Sequence, residues 1–382
     1  MGKYNFNETI NRRGLPTYKW DVKDNELPMW VADMDFGTLP EVVAAIKEQA
    51  DISAYGYSYC PKEYFEAYQG WWKRNHDLDI DPSWMTFSNG VIASLDSILK
   101  HILPKGSGVL IQVPVYHVFA RCITNNGHNV ITNKLVFKNN DYQIDFKDLE
   151  EKLSLETTNA MVLCNPHNPI GRIWSKEEIK IIAELCDKYN VLLISDEIHC
   201  DIVEPGYKYV PALAVTQNVI TLLAPSKVFN MAAIHSSIVV CPNKELLNMI
   251  EDGLGKDDLG EPNYFASVAT IAAFTKGDQW VKELNEYVYN NKKYMEEFLA
   301  KELPNISLVN SHATYMVWMN ISHYTNDSEN FANVLREQTG LFVSNGKQFG
   351  EGGETFLRIN LATSLDNVKD ACQRLKNFVK TL

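Results

Sequence analysis

The chain has 382 residues, 45% hydrophobic and 22% charged, an ordinary globular composition at a length that favours one large and one smaller domain. Its formal net charge is −12, from 48 acidic against 36 basic residues with no basic run, which argues against nucleic acid or an anionic membrane as partner. A local basic pocket for a phosphate remains compatible with that balance.

The seven cysteines (Cys60, Cys122, Cys164, Cys186, Cys200, Cys241, Cys372) are scattered without a C-x-x-C pair, so reduced thiols are expected and no metal site is. Residues 1–14 contain no apolar run of the kind a secretory signal needs, and no stretch has the length of a membrane-spanning helix. The expectation is a soluble cytoplasmic protein.

Taken in chain order, Ser88-Asn89-Gly90 precedes a helical pattern of Val91, Ile92, Leu95, Ile98, Leu99 and Ile102. Residues 109–113, 160–164, 191–195 and 219–223 read as strands, nearly continuous in apolar character, as when helices cover both faces of a sheet. Between them Ser175 and Glu178 form a capping box ahead of Ile179, Ile182, Ala183 and Cys186. This alternation predicts a doubly wound, mainly parallel α/β sheet, whose ligands gather at the carboxyl ends of the strands. Beyond residue 280 the pattern changes to a long helix over 281–303, strands near 315–319 and 356–360, a turn-rich loop at 350–353 and a closing helix from Ser364. A large domain over 45–280 is expected, with a smaller α+β domain built from 1–44 and 281–382.

The strand ends carry the chemistry. Asn165-Pro166-His167-Asn168-Pro169-Ile170-Gly171 is a rigid polar turn, Ser195-Asp196-Glu197-Ile198-His199 puts carboxylates at the sheet edge, and Ala224-Pro225-Ser226-Lys227 ends in an amine. Alone, Ser-Asn-Gly is an N-cap and Lys227 a surface lysine. Together they suit pyridoxal phosphate (PLP), which needs a lysine for its Schiff base, an acid for its pyridine nitrogen, donors near its phenolic oxygen and an anion site for its phosphate. The free N–H groups of a helix beginning at Gly90 can supply the anion site.

With these motifs, with Pro28-Met29-Trp30-Val31-Ala32-Asp33-Met34-Asp35-Phe36, and with Ser226-Lys227-Val228-Phe229-Asn230 and Arg358-Ile359-Asn360-Leu361-Ala362, the chain resembles fold-type I PLP enzymes over nearly its whole length. The likeness is closest to the cystathionine β-lyase-like C–S lyases related to class I/II aminotransferases; the Met-Trp-Val-Ala-Asp-Met-Asp-Phe run favours them. It implies the aspartate aminotransferase-like fold, with Lys227 as Schiff-base lysine and proton shuttle, Asp196 on the pyridine nitrogen and Asn168 on the phenolic oxygen with His199 close behind. Tyr116 would stack on the ring, Gly90, Val91 and Ser226 would serve the phosphate, and Tyr57 would reach the cofactor of a neighbouring subunit in a homodimer with shared active sites. Arg358 would clamp the substrate carboxylate, with Trp30 and Ala32 forming substrate wall.

The pattern departs from the family at Ala224, where a hydroxyl is common, at His235, where many aminotransferases have a phosphate-binding arginine, and at Ile170, which replaces a threonine. The expected reaction is α,β-elimination from a sulfur amino acid to pyruvate, ammonia and a thiol or sulfide, a step of cysteine and methionine metabolism. Its rivals are an aminotransferase using the same residues and a regulatory protein that holds PLP with weak catalysis.

Overall fold

In the computed structural model, which describes residues 2–382, the alternating strands and helices assemble a seven-stranded sheet. Its spatial order is Met85–Ser88, Ser237–Val240, Ile220–Leu223, Leu192–Asp196, Thr158–Cys164, Gly108–Val113 and Asn129–Lys134. Only Ser237–Val240 runs against its neighbours. The α/β class with a mainly parallel sheet is as the sequence implied. The four strands read from apolar runs all lie in its centre, where Gly108–Val113 and Ile220–Leu223 are buried at every position. Three others escaped the sequence reading for local reasons. Asn129–Lys134 is a polar edge strand with little burial, and Met85–Ser88 and Ser237–Val240 are only four residues each.

From Gly108–Val113 the chain first moves outward to Asn129–Lys134, then returns to the other side of the same strand through Thr158–Cys164. That reversal leaves a crevice beyond the carboxyl ends of two diverging parallel strands, where open α/β sheets bind ligands. The helix after the second of these strands, Lys176–Lys188, starts as expected: Ser175 Oγ accepts from Glu178 N at 3.1 Å while Glu178 Oε2 accepts from Ser175 N at 2.8 Å.

A second, antiparallel sheet orders Ser307–Leu308, Met316–Asn320, Phe356–Asn360 and Ser344–Asn345. Helices Ser328–Thr339 and Leu365–Val379 pack on it through Leu335, Val368, Cys372 and Leu375. The Leu27–Pro28 strand joins this unit by pairing with Leu341–Phe342, whereas Phe6, Met34, Phe36 and Leu39 enter the core of the large sheet. Helix Asp278–Glu302 spans both cores, with Trp280, Leu284 and Val288 in one and Met295 and Leu299 in the other. We propose a domain division near residues 45 and 280, with this helix as the shared beam. No helix among the described residues is long and apolar enough to cross a membrane.

Residues 30–36 form neither helix nor strand, yet a buried ion cluster fixes them. Lys19 and Asp35, each 1% exposed, pair at 2.8 Å; Arg12 Nη2 reaches Asp35 at 3.1 Å and Asp33 at 3.0 Å, and Trp20 Nε1 donates to Asp35 at 2.8 Å. Breaking such a pair leaves a carboxylate desolvated with fewer counter-charges, which is strongly destabilising. Lys19→Met is therefore expected to cost about 3 kcal/mol, seen as a lowered midpoint of urea unfolding. A loss below about 1 kcal/mol, the scale of an exposed pair, would contradict this reading.

Candidate active site

The crevice holds a cavity of about 310 Å³ lined by residues from several strand ends and one helix start. Helix Val91–Ile102 begins there. Its first intrahelical bond runs from Ser94 N to Gly90 O at 2.8 Å, so the amides of Val91, Ile92 and Ala93 face the cavity without a helical partner. Gly90 adopts φ +153°, and a Cβ placed on it would meet no atom within 4 Å, which leaves open space for an anion against the backbone.

Asp196 ends the Leu192–Asp196 strand facing the cavity, with Ile198 N donating to its Oδ1 at 3.1 Å. Burial raises its carboxyl to about 6, against the pull of that amide and of Lys227. Its neighbour Glu197 turns inward instead, accepting from Ser195 Oγ at 2.7 Å, Ala212 N at 2.9 Å and the Tyr209 hydroxyl, and burial raises it to about 7. The acidic pair thus divides into one cavity carboxylate and one that braces the loop.

Lys227 follows the Ile220–Leu223 strand, and its Nζ donates to Ala32 O at 2.9 Å, an oxygen that also accepts from Tyr315 Oη at 3.0 Å. Burial lowers the amine to about 8, with Arg358 acting in the same sense and Asp33 and Asp196 opposing. Arg358, on Phe356–Asn360, is buried to 6% exposure. It donates to Asn168 Oδ1 at 3.1 Å and Trp30 O at 2.9 Å and lies over the Phe349 ring at 4.7 Å, while its Nε has no partner. Burial lowers it to about 10, which leaves it cationic at neutral pH. His199 lies behind, held well below its ordinary value by burial and by Lys227 and Arg358, with Nδ1 unpartnered. It is neutral.

The structure thus brings Gly90, Val91, Tyr116, Asn168, Asp196, His199, Ser226, Lys227 and Ala32 to one cavity. Arg358 and Trp30 stand beside it through Asn168 and Ala32's segment, with Trp30 stacked on Phe342 at 4.8 Å. Tyr57 stands apart, fully exposed on the 52–61 segment beside exposed Tyr55 and Tyr59. Ala224 supplies no hydroxyl, and His235 lines the cavity in a left-handed turn at φ +51°. Sequence reading gave no role to Tyr315, Asn230 or Asn360. The alternation in Arg358-Ile359-Asn360 puts the arginine and asparagine on one face of a strand, the signal that could have marked Asn360. Among the described residues one group, His76, Cys200 and Asp201, has metal-ligating atoms within 4.8 Å of one another. Its Asp201 Oδ1 is taken up by Trp71 Nε1 and His76 Nε2, both at 2.8 Å.

Residues 26–375 match the family of class I and II aminotransferases. The chain belongs to that family. Over 97% of its length it is 35% identical to the cystathionine β-lyase PatB of Bacillus subtilis (strain 168), covering 99% of that protein. It superposes with a TM-score of 0.93 on a PLP-bound C–S lyase from Staphylococcus hominis at 32% identity, covering 98% of this chain and 97% of the other. Cystalysin of Treponema denticola, which contains a PLP cofactor, gives 0.94 at 28% identity over 99% of each chain. In this family member the cavity fits such a group by its donor set. Free helix amides suit a phosphate, a buried carboxylate suits a protonated ring nitrogen, and an uncommitted Asn168 amide suits a phenolic oxygen.

With a pKa near 8, about a quarter of the Lys227 amine is neutral at pH 7.5, against about a thousandth for an ordinary lysine. The condensation of cofactor-free protein with added pyridoxal phosphate, followed by its visible absorbance, should therefore quicken with pH up to about 8 and level off above. A rate that still climbs beyond pH 9 would show an unperturbed amine.

Proposed function

We propose that the chain is a PLP-dependent carbon–sulfur β-lyase of the cystathionine β-lyase and cysteine desulfhydrase type. The observation that carries this reading is the convergence of an amine and a carboxylate, Lys227 and Asp196, on one cavity, with the Arg358 guanidinium beside it through Asn168. Two relatives that share nearly its full length, at 35% and 32% identity, are a cystathionine β-lyase and a C–S lyase, which supports this reading. Bound pyridoxal phosphate supplies the electron sink for the pair left at the substrate α-carbon.

The chain's own residues do the rest. Lys227 would hold the cofactor through its amine, and the free Nζ would take the substrate α-proton; its lowered pKa suits a base at neutral pH. Asp196 would hold the ring nitrogen, and a cation there would draw its carboxyl back down from about 6. Asn168 spends its oxygen on Arg358, which leaves its NH₂ for the phenolic oxygen. Neutral His199 packs behind without adding charge. Tyr116, Gly90, Val91 and Ser226 line the same cavity, where Tyr116 would pack on the ring and the other three would hold the phosphate.

Arg358 grips the α-carboxylate, giving up or sharing its bonds to Asn168 and Trp30, while Trp30 and Ala32 wall the side chain. The C–S bond breaks with its electron pair leaving on sulfur as thiolate or sulfide. The remaining three-carbon unit takes up water to give pyruvate and ammonia. An amino acid is thus the substrate, cystathionine yielding homocysteine and cysteine yielding hydrogen sulfide.

We place the active unit as a homodimer, in which Tyr57, solvent-facing in the single chain, completes the neighbour's site; the exposure of Tyr55, Tyr57 and Tyr59 on one segment supports this. A cytoplasmic location accords with seven free cysteines.

The PLP-loaded protein given cystathionine or cysteine without a keto acid should form pyruvate and thiol or sulfide over many turnovers, and Lys227→Ala should abolish both. No pyruvate, with a single shift of cofactor absorbance that a keto acid reverses, would make it an aminotransferase. No reaction with either class would leave it a PLP-holding binding protein. Arg358→Lys keeps the charge but loses the planar fork, and should raise KM about tenfold to a hundredfold, the worth of one charge-assisted hydrogen bond.

A further inference from the structure

The 30–36 segment has no regular structure, and six of its seven carbonyls are taken up by side chains, Asp35 O going to the Ile10 amide. Trp30 O accepts from Arg358 Nη2 at 2.9 Å and Ser344 Oγ at 3.1 Å. Ala32 O accepts from Lys227 Nζ at 2.9 Å and Tyr315 Oη at 3.0 Å. Between and beside them Asn360 Nδ2 donates to Val31 O at 2.7 Å and Asp33 O at 2.6 Å, while its Oδ1 accepts from Ala362 N at 2.7 Å. Farther along, Asn230 Nδ2 donates to Met34 O at 3.1 Å and Phe36 O at 2.9 Å. One strap of backbone therefore touches the carboxylate-binding arginine at one carbonyl and the cofactor-binding lysine two residues later.

We propose that Asn360 is a positioning residue for the reaction. By clamping Val31 and Asp33 it fixes the intervening Ala32 carbonyl against the Lys227 amine and the neighbouring Trp30 carbonyl against Arg358. This rests on the lyase reading only for the identity of the product, since any reaction of an amino acid here uses both groups. Buried asparagine is suited to the task because its NH₂ can serve two carbonyls while its oxygen is anchored by an amide two residues on, just past the strand. Strap and clamp also explain two sequence motifs together, the Trp30–Phe36 run and the Arg-x-Asn of residues 358–360.

The two ends of the strap can be probed separately. Tyr315→Phe removes one donor to Ala32 O, and Ser344→Ala removes one donor to Trp30 O. In the PLP-loaded protein, Tyr315→Phe should lower kcat about three- to tenfold with KM within twofold of wild type, the scale of one buried hydrogen bond. Ser344→Ala should raise KM by a similar factor with kcat little changed. Asn360→Ala should move both, without loss of cofactor absorbance per chain.

If Asn360→Ala fails to fold, the split between the two conservative variants still decides the matter. Variants that lower only the melting temperature or the active fraction, with KM and kcat as in wild type, would overturn the proposal. So would Tyr315→Phe and Ser344→Ala moving KM and kcat together. If wild type forms no pyruvate, the same split is read from the rate and the half-saturation of cofactor bleaching by the amino acid. The lyase reading then fails while the clamp is judged on its own.

Discussion

Two cations buried near each other, the Lys227 amine and the Arg358 guanidinium, are the constraint around which this molecule is organised. Burial lowers the pKa of both, Arg358 lowers that of Lys227 further, and neither has a carboxylate in direct contact. Their nearest partners are neutral oxygens: the carbonyls of Ala32 and Trp30 and the amide of Asn168. Carbonyl dipoles satisfy the donors without neutralising the charge, so both groups stay available to an incoming anion or carbonyl carbon. A carboxylate in the same place would hold them too well. The acids that act on Lys227, Asp33 and Asp196, do so without direct contact, and Asp33 is itself engaged by Arg12.

The need for backbone carbonyls explains why residues 30–36 are irregular. In a helix or an interior strand those oxygens would be consumed by neighbouring amides. Here they face side chains instead, and the cost of an unstructured strap is offset by the buried cluster of Arg12, Lys19, Trp20, Asp33 and Asp35 on its far side. The strap also links the two sheets, since it is held from the side of the small one by Tyr315, Ser344, Arg358 and Asn360 and from that of the large one by Lys227 and Asn230. The remaining parts follow from topology. The turns bearing Tyr116 and Asn168 leave the two strands that diverge at the switch point, and Tyr116 N bonds Asn168 O at 3.1 Å to tie them together.

The large sheet was legible because its central strands are buried on both faces and so read as unbroken apolar runs. The cavity residues were legible because each ends such a run, at Asp196, Asn168 and Lys227. The edge strand Asn129–Lys134 was not, because its polar face meets solvent and carries no periodic signal. The packing of Phe6, Met34 and Leu39 into the large core was equally hidden, since nothing local tells a segment which of two cores it will enter. Tyr315 and Asn360 act through carbonyls some 300 residues away in sequence, and backbone oxygens are the one partner that composition never reveals. Tyr57 is fully exposed in the single chain, and the role proposed for it needs a second one.

Every role proposed for the cavity turns on the amine at its centre, Lys227, holding the cofactor. Reduction of the PLP-loaded protein with borohydride, proteolysis and mass spectrometry of the peptides tests that most directly. The account predicts one phosphopyridoxyl adduct per chain, on Lys227. An adduct on another lysine, or a bound cofactor that reduction leaves free, would contradict it.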